Sequence, residues 1–83
     1  MIIKLYSAGY CLACTALKKR LDALDLTDYE VLHTGITENK EALMALGLRS
    51  IPVLAIYNDN GVMMDTLVGN VASDVHLKEF FVL

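Results

Sequence analysis

Hydrophobic and polar residues follow two different periods along the chain, and the change from one to the other marks the first two predicted elements. Residues 1–6 are mostly apolar and β-prone, which is typical of a strand, and Gly9 lies in the break that follows. From Cys11 onward, apolar side chains recur every three or four positions, as on one face of a helix. These positions are Cys14, Leu17, Leu21 and Leu24.

A second strand and a second helix follow in the same order. Residues 29–33 alternate between the two faces expected of a strand. Thr37 is a suitable N-cap for the next helix, and Gly47 is a suitable residue to end it.

The C-terminal half changes to a hairpin and a last helix. Residues 51–57 are nearly all apolar, which indicates a central strand covered on both faces. Residues 58–61 are turn formers, and residues 62–68 are predicted to return as the fourth strand. Ser73 can cap a final helix. The predicted order is β-α-β-α-β-β-α, with a mixed sheet of four strands.

Length and composition narrow the class of protein. The 83 residues correspond to one domain, which we expect to span residues 1–83. Apolar residues make up 55% and charged residues 20%, which excludes a disordered chain. No apolar run reaches the ~18 residues of a membrane span, and we expect no membrane partner and no signal peptide. The net charge of −3 disfavours nucleic-acid binding. Two cysteines are too few for a disulfide-stapled secreted scaffold, so we expect a cytoplasmic protein.

The two cysteines carry the most informative pattern, Cys11-Leu12-Ala13-Cys14, at a predicted strand-to-helix junction. Residues three apart on a helix share a face, so the two sulfurs can approach bonding distance. Cys11 would lie at the helix N-terminus, where free N–H groups and the helix dipole favour a thiolate. Cys14 would lie one turn further, on the apolar face. We predict that Cys11 attacks a substrate disulfide and that Cys14 resolves the mixed disulfide.

Two other interpretations of the cysteines are open at this point. They could be half of a zinc site completed by His33 and His76, but those histidines are 43 positions apart, whereas finger-type sites place them ~3–5 apart. They could also be ordinary core thiols. A Cys-x-x-Cys beside a strand-helix-strand pattern favours redox chemistry.

With this motif in place, the chain resembles the thioredoxin-fold redox proteins across nearly its full length. Residues 3–14 are similar to a glutaredoxin, whereas residues 48–54, 60–61 and 67–69 are similar to a thioredoxin. Small glutaredoxin-like proteins reduced by thioredoxin reductase share this hybrid character. The resemblance implies the α/β thioredoxin fold and a redox-active Cys11–Cys14 disulfide, with no other cofactor and no metal.

The resemblance also implies further site residues. In the family, a cis proline before the central strand faces the cysteines, which points to Pro52, and the preceding Ile51 offers its backbone to an extended substrate. Gly69 matches a glycine that lets a substrate backbone approach the sulfurs, and Tyr10 stands where thioredoxins have tryptophan. From the residues alone, a trans proline starting a strand and a plain turn glycine are equally allowed.

We therefore expect a monomeric thiol-disulfide oxidoreductase that passes two electrons to protein disulfides, with ribonucleotide reductase as one acceptor suggested by the resemblance. Thioredoxin reductase is the expected reductant, because the glutathione-binding positions of glutaredoxins match poorly here and an apolar collar is expected instead. The collar residues are Tyr10, Leu12, Ile51 and Val71. The alternatives are a glutaredoxin that uses glutathione as reductant, and a binding module whose cysteines are idle or hold zinc.

Overall fold

The computed structural model describes residues 2–48, 50–68 and 73–82. Within these ranges the predicted order of elements is confirmed. The elements are β1 (Ile2–Ser7), α1 (Leu12–Ala23), β2 (Glu30–His33), α2 (Thr37–Ala45), β3 (Val53–Tyr57), β4 (Met63–Val68) and α3 (Asp74–Phe81). None of the helices in these ranges is both long and apolar enough to cross a membrane.

The strands form the predicted mixed sheet, in the order β2-β1-β3-β4. β1 and β2 are parallel because α1 carries the chain back across the sheet between them, as a right-handed crossover requires. β3 pairs antiparallel with both β1 and β4, with Leu5 opposite Leu54 and Leu54 opposite Leu67. β3 is therefore central, and four of its five residues are buried, as its unbroken apolar sequence predicted.

The two faces of the sheet bury separate clusters, since neighbouring residues of a strand point to opposite faces. One face is covered by α1 and α3 and holds the large cluster, and the other is covered by α2 and holds the small cluster. The large cluster consists of Ile3, Leu5, Leu17, Leu21, Leu54, Ile56, Leu77 and Phe80. The small cluster consists of Tyr6, Leu43, Val53 and Ala55.

The start of α2 corrects one prediction. Thr37 is the first helical residue, and Ile36 is the N-cap, with no side-chain hydrogen bond to the helix. The turn that leaves β2 already directs the chain into the helix at Ile36, whose N–H donates to the carbonyl oxygen of His33 at 3.1 Å. Asn39 Nδ2 donates to the same oxygen at 3.1 Å. The Asn39 side chain thus ties the first turn of α2 to the end of β2, but no side chain among the described residues caps the free N–H groups of the helix.

The other predicted helix ends are confirmed. Gly47 follows α2 with a φ of +75°, a conformation that glycine adopts at little cost. Ser73 caps α3, and its Oγ accepts from the N–H of His76 at 3.3 Å.

The hairpin between β3 and β4 contains a bulge that the sequence pattern did not predict. Ile56 pairs with Asp65, but Tyr57 pairs with Met63, so Met64 is left over in the ladder. The turn itself is the expected one, because Asn58 Oδ1 accepts from the N–H groups of Asn60 and Val62 at 2.9 and 3.0 Å.

Candidate active site

Cys11 occupies the N-cap of α1. After β1 ends at Ser7, a turn closed by the Cys11 N–H on the Ala8 carbonyl brings the chain to the helix. Cys11 has extended backbone angles, and its Sγ accepts a hydrogen bond from the Cys14 N–H at 3.0 Å. The first turn of α1 contains no acidic side chain. A negative charge on Cys11 Sγ would therefore meet a free N–H group and the positive end of the helix dipole.

The two cysteines form a disulfide, with their Cα atoms 5.1 Å apart. Cys14 is buried, as its place on the apolar face of the helix predicted. Cys11 is half-buried, whereas Cys14 is 1% exposed and continues the buried stripe of α1 through Leu17 and Leu21. A partner can therefore reach the first sulfur from solvent but not the second.

Pro52 lies at the same end of the sheet as the disulfide. Tyr6 of β1 pairs with Val53, the first residue of β3, so Pro52 is level with Ser7, just before the turn to Cys11. Pro52 is buried, and the Ile51–Pro52 peptide bond is cis, as the resemblance implied.

The other predicted contact residues differ in their exposure, and two of them are not described. Ile51 is half-buried, and Tyr10 and Leu12, which flank Cys11, are almost fully exposed. Gly69 and Val71 lie outside the described residues.

A cleft opens beside Ile51 on the face covered by α2, with a volume of about 660 Å³. Thr34 forms part of its wall and is fixed to β1, because its N–H donates to the Ser7 carbonyl at 2.8 Å. Sequence reasoning missed this cleft. Its residues are Ala8, Thr34, Gly35, Lys40, Leu43, Met44, Leu48 and Ile51. In the sequence, Lys40 is an ordinary polar residue of a predicted helix, and nothing indicated that it would line the same cleft as Ile51.

Two side chains of β1, those of Tyr6 and Lys4, make polar contacts with Tyr57 of β3. The hydroxyl groups of Tyr6 and Tyr57 are 3.1 Å apart and share a hydrogen bond. Burial first, and then this hydrogen bond, raise the pKa of Tyr6 well above its ordinary value. Lys4 Nζ lies 4.8 Å from the centre of the Tyr57 ring, so this cation is held against an aromatic face.

The structure gives the zinc interpretation no cluster of ligands. Across residues 2–48, 50–68 and 73–82, no three His, Cys, Asp or Glu side chains come together in a way that could hold a metal ion. His33 and His76 are both exposed.

Comparison with known proteins agrees with this geometry. No protein-family model and no curated protein matches the chain. Among solved structures, the glutaredoxin-like NrdH-redoxin from Escherichia coli is 30% identical, with a TM-score of 0.65 and 84% of each chain covered. A thioredoxin from Halobacterium salinarum is 26% identical, with a TM-score of 0.67, over 96% of this chain and 70% of the other. A disulphide isomerase from Xylella fastidiosa is 23% identical, with a TM-score of 0.71, over 98% and 75%.

The fold, the Cys-x-x-Cys disulfide and these similarities agree. The chain belongs to the thioredoxin-fold thiol-disulfide oxidoreductases, as a small glutaredoxin-like member of that family.

Proposed function

We propose that this protein is a protein disulfide reductase in which Cys11 is the nucleophile and Cys14 the resolving thiol. The observation that carries this assignment is the position of Cys11 at the N-cap of α1, half-buried, with Cys14 behind it at 1% exposure. The Cys11 thiolate attacks a substrate disulfide, forms a mixed disulfide and expels one substrate thiolate. Cys14 then attacks Cys11 Sγ, which closes the Cys11–Cys14 bond and releases the second substrate thiolate.

The substrate is proposed to be an extended protein segment that lies across Tyr10, Ile51, Pro52 and Gly69. Tyr10 and Leu12 project into solvent beside the nucleophile, with exposures of 103% and 88%. Exposed apolar side chains beside a reactive sulfur suit a protein surface better than a small charged thiol.

Thioredoxin reductase is proposed as the electron source rather than glutathione. Glutathione carries two carboxylates, which need cations or N–H donors. Lys4 is already held against the Tyr57 ring, and among the described residues that line the cleft Lys40 is the one cation. The Escherichia coli NrdH-redoxin is described as a glutaredoxin-like protein with a thioredoxin-like activity profile, which supports the same choice.

Reconstitution tests the electron source. The oxidised protein is mixed either with thioredoxin reductase and NADPH or with glutathione, glutathione reductase and NADPH, and the initial rates of disulfide reduction are compared. We expect the first rate to be clearly higher. A higher glutathione rate would place the protein with the glutaredoxins, and no exchange in either arm would favour a binding module with idle cysteines.

Mass spectrometry tests the roles of the two cysteines. Brief alkylation of the reduced protein near neutral pH should label Cys11 before Cys14. Cys14→Ser should accumulate a mixed disulfide through Cys11, and Cys11→Ser should form none. Equal labelling of the two thiols, or an adduct trapped on Cys14, would reverse the assignment.

The acceptors are proposed to be cytoplasmic protein disulfides, with ribonucleotide reductase as one of them and the protein acting as a monomer. Light scattering first determines the concentrations at which the protein is a monomer. At one of these concentrations, the reduction of oxidised ribonucleotide reductase is then measured. Failure of this acceptor alone would leave the general reductase activity intact.

A further inference from the structure

Ser7 is the last residue of β1, and its hydroxyl has no use in the fold that the structure reveals. It is 0% exposed, and its Oγ is the buried side-chain oxygen that finds no hydrogen-bond partner among the described residues. The carbonyl oxygen of Ser7, in contrast, accepts from the N–H and the Oγ1 of Thr34 at 2.8 and 3.3 Å. Leaving a hydroxyl buried and unpaired is unfavourable, so its presence here calls for a function.

The order of residues on this face of the sheet places Ser7 at the same end as Cys14. Ile3 and Leu5 point into the large cluster, and Ser7 continues that row on the same face of β1. α1 runs back over this face, and its buried stripe is Leu21, Leu17 and then Cys14. The seven residue steps from Leu21 to Cys14 span about 10.5 Å of helix and the four from Ile3 to Ser7 span about 13.2 Å of strand, so the two rows have similar lengths. Ser7 and Cys14 are the last pair of the two rows.

We propose that Ser7 is a positioning residue for the resolving step, in which its Oγ–H donates a hydrogen bond to the Cys14 thiolate. This inference deepens the proposed function and rests on Cys14 as the resolving thiol. In the oxidised chain Cys14 Sγ is bonded to Cys11, and Ser7 Oγ makes no hydrogen bond to it, so the proposed hydrogen bond forms only after the disulfide has opened. A thiolate is a strong acceptor, and a hydrogen bond to the charged form lowers the thiol pKa.

The electrons and protons of the step balance without transfer from Ser7. Cys14 loses its proton to solvent, and its thiolate attacks Cys11 Sγ in the mixed disulfide. The Cys11–Cys14 bond forms, the bond from Cys11 to the substrate sulfur breaks, and the electron pair leaves on the substrate thiolate. Ser7 keeps its proton and supplies only the hydrogen bond that holds Cys14 as a thiolate until it attacks.

Among the described residues, few other polar or titratable groups lie where they could stabilise a Cys14 thiolate. On α1, the titratable neighbours of Cys14 are Cys11, one turn before it, and Lys18, one turn after it. β1, β3 and α3 contribute aliphatic and aromatic side chains to this face in their described residues. Tyr29 packs against Phe81 at the opposite end of the cluster, near Ile3.

Ellman's reagent separates the two steps, because attack by Cys11 releases one chromogenic thiolate and resolution by Cys14 releases a second. Stopped-flow measurement of the second phase across pH is made on the reduced wild type, Ser7→Ala, Ser7→Thr and Ser73→Ala. Ser7→Ala should raise the pKa of Cys14 by about one unit, the size of a lost charged hydrogen bond. A tenfold loss of thiolate, partly offset by its greater nucleophilicity, should slow the second phase about threefold at neutral pH.

The pH profile distinguishes a positioning role from a structural one. At alkaline pH, where every Cys14 is a thiolate, the slowing by Ser7→Ala should vanish or reverse. Ser7→Thr keeps the hydroxyl and should restore the wild-type profile, and Ser73→Ala, which removes the distant hydroxyl cap of α3, should not change it. The pKa of the Cys14 thiol can also be measured directly. The reduced protein is labelled with ¹³C at its cysteines, and the NMR shift of Cys14 Cβ is followed as the pH is raised.

Each outcome decides one question. A second phase that Ser7→Ala slows equally at all pH values, or leaves unchanged, overturns the role of Ser7 but not that of the cysteines. An unshifted Cys14 titration in Ser7→Ala does the same. Release of a single chromogenic thiolate by the wild type would instead overturn the proposed resolving role of Cys14.

Discussion

The face of the sheet covered by α1 and α3 buries eight side chains in one cluster, whereas the face covered by α2 buries four and opens into a cleft of about 660 Å³. The first face holds Cys14 in a closed position, and the second places Ile51 and Lys40 beside solvent. If Cys14 has the proposed resolving role, its burial keeps it from reacting directly with disulfides in solution. The small cluster on the second face leaves an open cleft, which would be accessible to the proposed partners.

Truncation of one leucine on each face should reveal this difference most strongly. Leu17→Ala on α1 removes a side chain that is 1% exposed inside the large cluster, and we expect it to cost about 4 kcal/mol of unfolding free energy. Leu43→Ala on α2 opens a cavity that joins the cleft and can relax, so about 2 kcal/mol is expected. Chemical denaturation of both oxidised variants measures the two values. Equal losses would contradict the contrast between the faces.

Tyr6→Phe probes the polar part of the small cluster. It leaves the Tyr57 hydroxyl without its partner at 3.1 Å and should cost about 1 kcal/mol at neutral pH. The folded chain raises the pKa of Tyr6 above the ordinary value of 10.0, so the unfolded chain loses that proton first. The free energy of unfolding of the wild type should therefore fall as the pH rises above about 10. The free energy of unfolding of Tyr6→Phe should fall less over the same range.

Denaturation series at neutral and alkaline pH measure this difference. Tyr29 also has a raised pKa, caused by burial and then by the charge of Asp22, and it is present in both proteins. It therefore produces an alkaline loss common to both, and only the excess loss of the wild type belongs to Tyr6. If the free energies of unfolding of the two proteins fall in parallel as the pH rises, Tyr6 is not the source of the alkaline loss of stability.

Lys40→Gln should give the smallest effect and tests whether the open face recognises charge. An exposed ion pair is worth about 0.2–1 kcal/mol, so the rate with glutathione should fall no more than about fivefold. The rate with thioredoxin reductase should change less. Lys19→Gln makes the same charge change on the solvent face of α1 and is the matched control. Equal effects of the two substitutions would mean that only net charge matters.

The sequence predicted those features that depend on local spacing. The N-cap position of Cys11 and the buried stripe through Cys14 follow from a three- and four-residue period that begins at a strand end. The spacing allowed the Cys11–Cys14 disulfide, and the resemblance implied it. The unbroken apolar run of β3 predicted its central place. In each case, the residues that produce the feature are neighbours in the chain.

The features that sequence reasoning missed depend on contacts between distant segments. Ser7 was expected in the break after the first strand, whereas the structure makes it the buried last residue of β1. Lys40 becomes a cleft residue only because α2 lies beside Ile51. Thr37 was predicted to cap α2 from propensity alone, but the turn anchored on His33 starts the helix one residue earlier. Tertiary contacts decided all three.

The bulge opposite Tyr57 has a consequence for how the molecules behave in a crowded solution. β4 is an outer strand of the sheet, and Val62 and Met64 expose 59% and 56% of their surface near its start. A regular apolar strand in that position is a template on which a second molecule can extend the sheet into a fibril. The register shift leaves Met64 over in the ladder, and because bulges interrupt regular pairing, we expect a neighbouring strand to pair with only part of β4. We therefore expect this hairpin to polymerise less readily than a regular hairpin with the same exposed side chains.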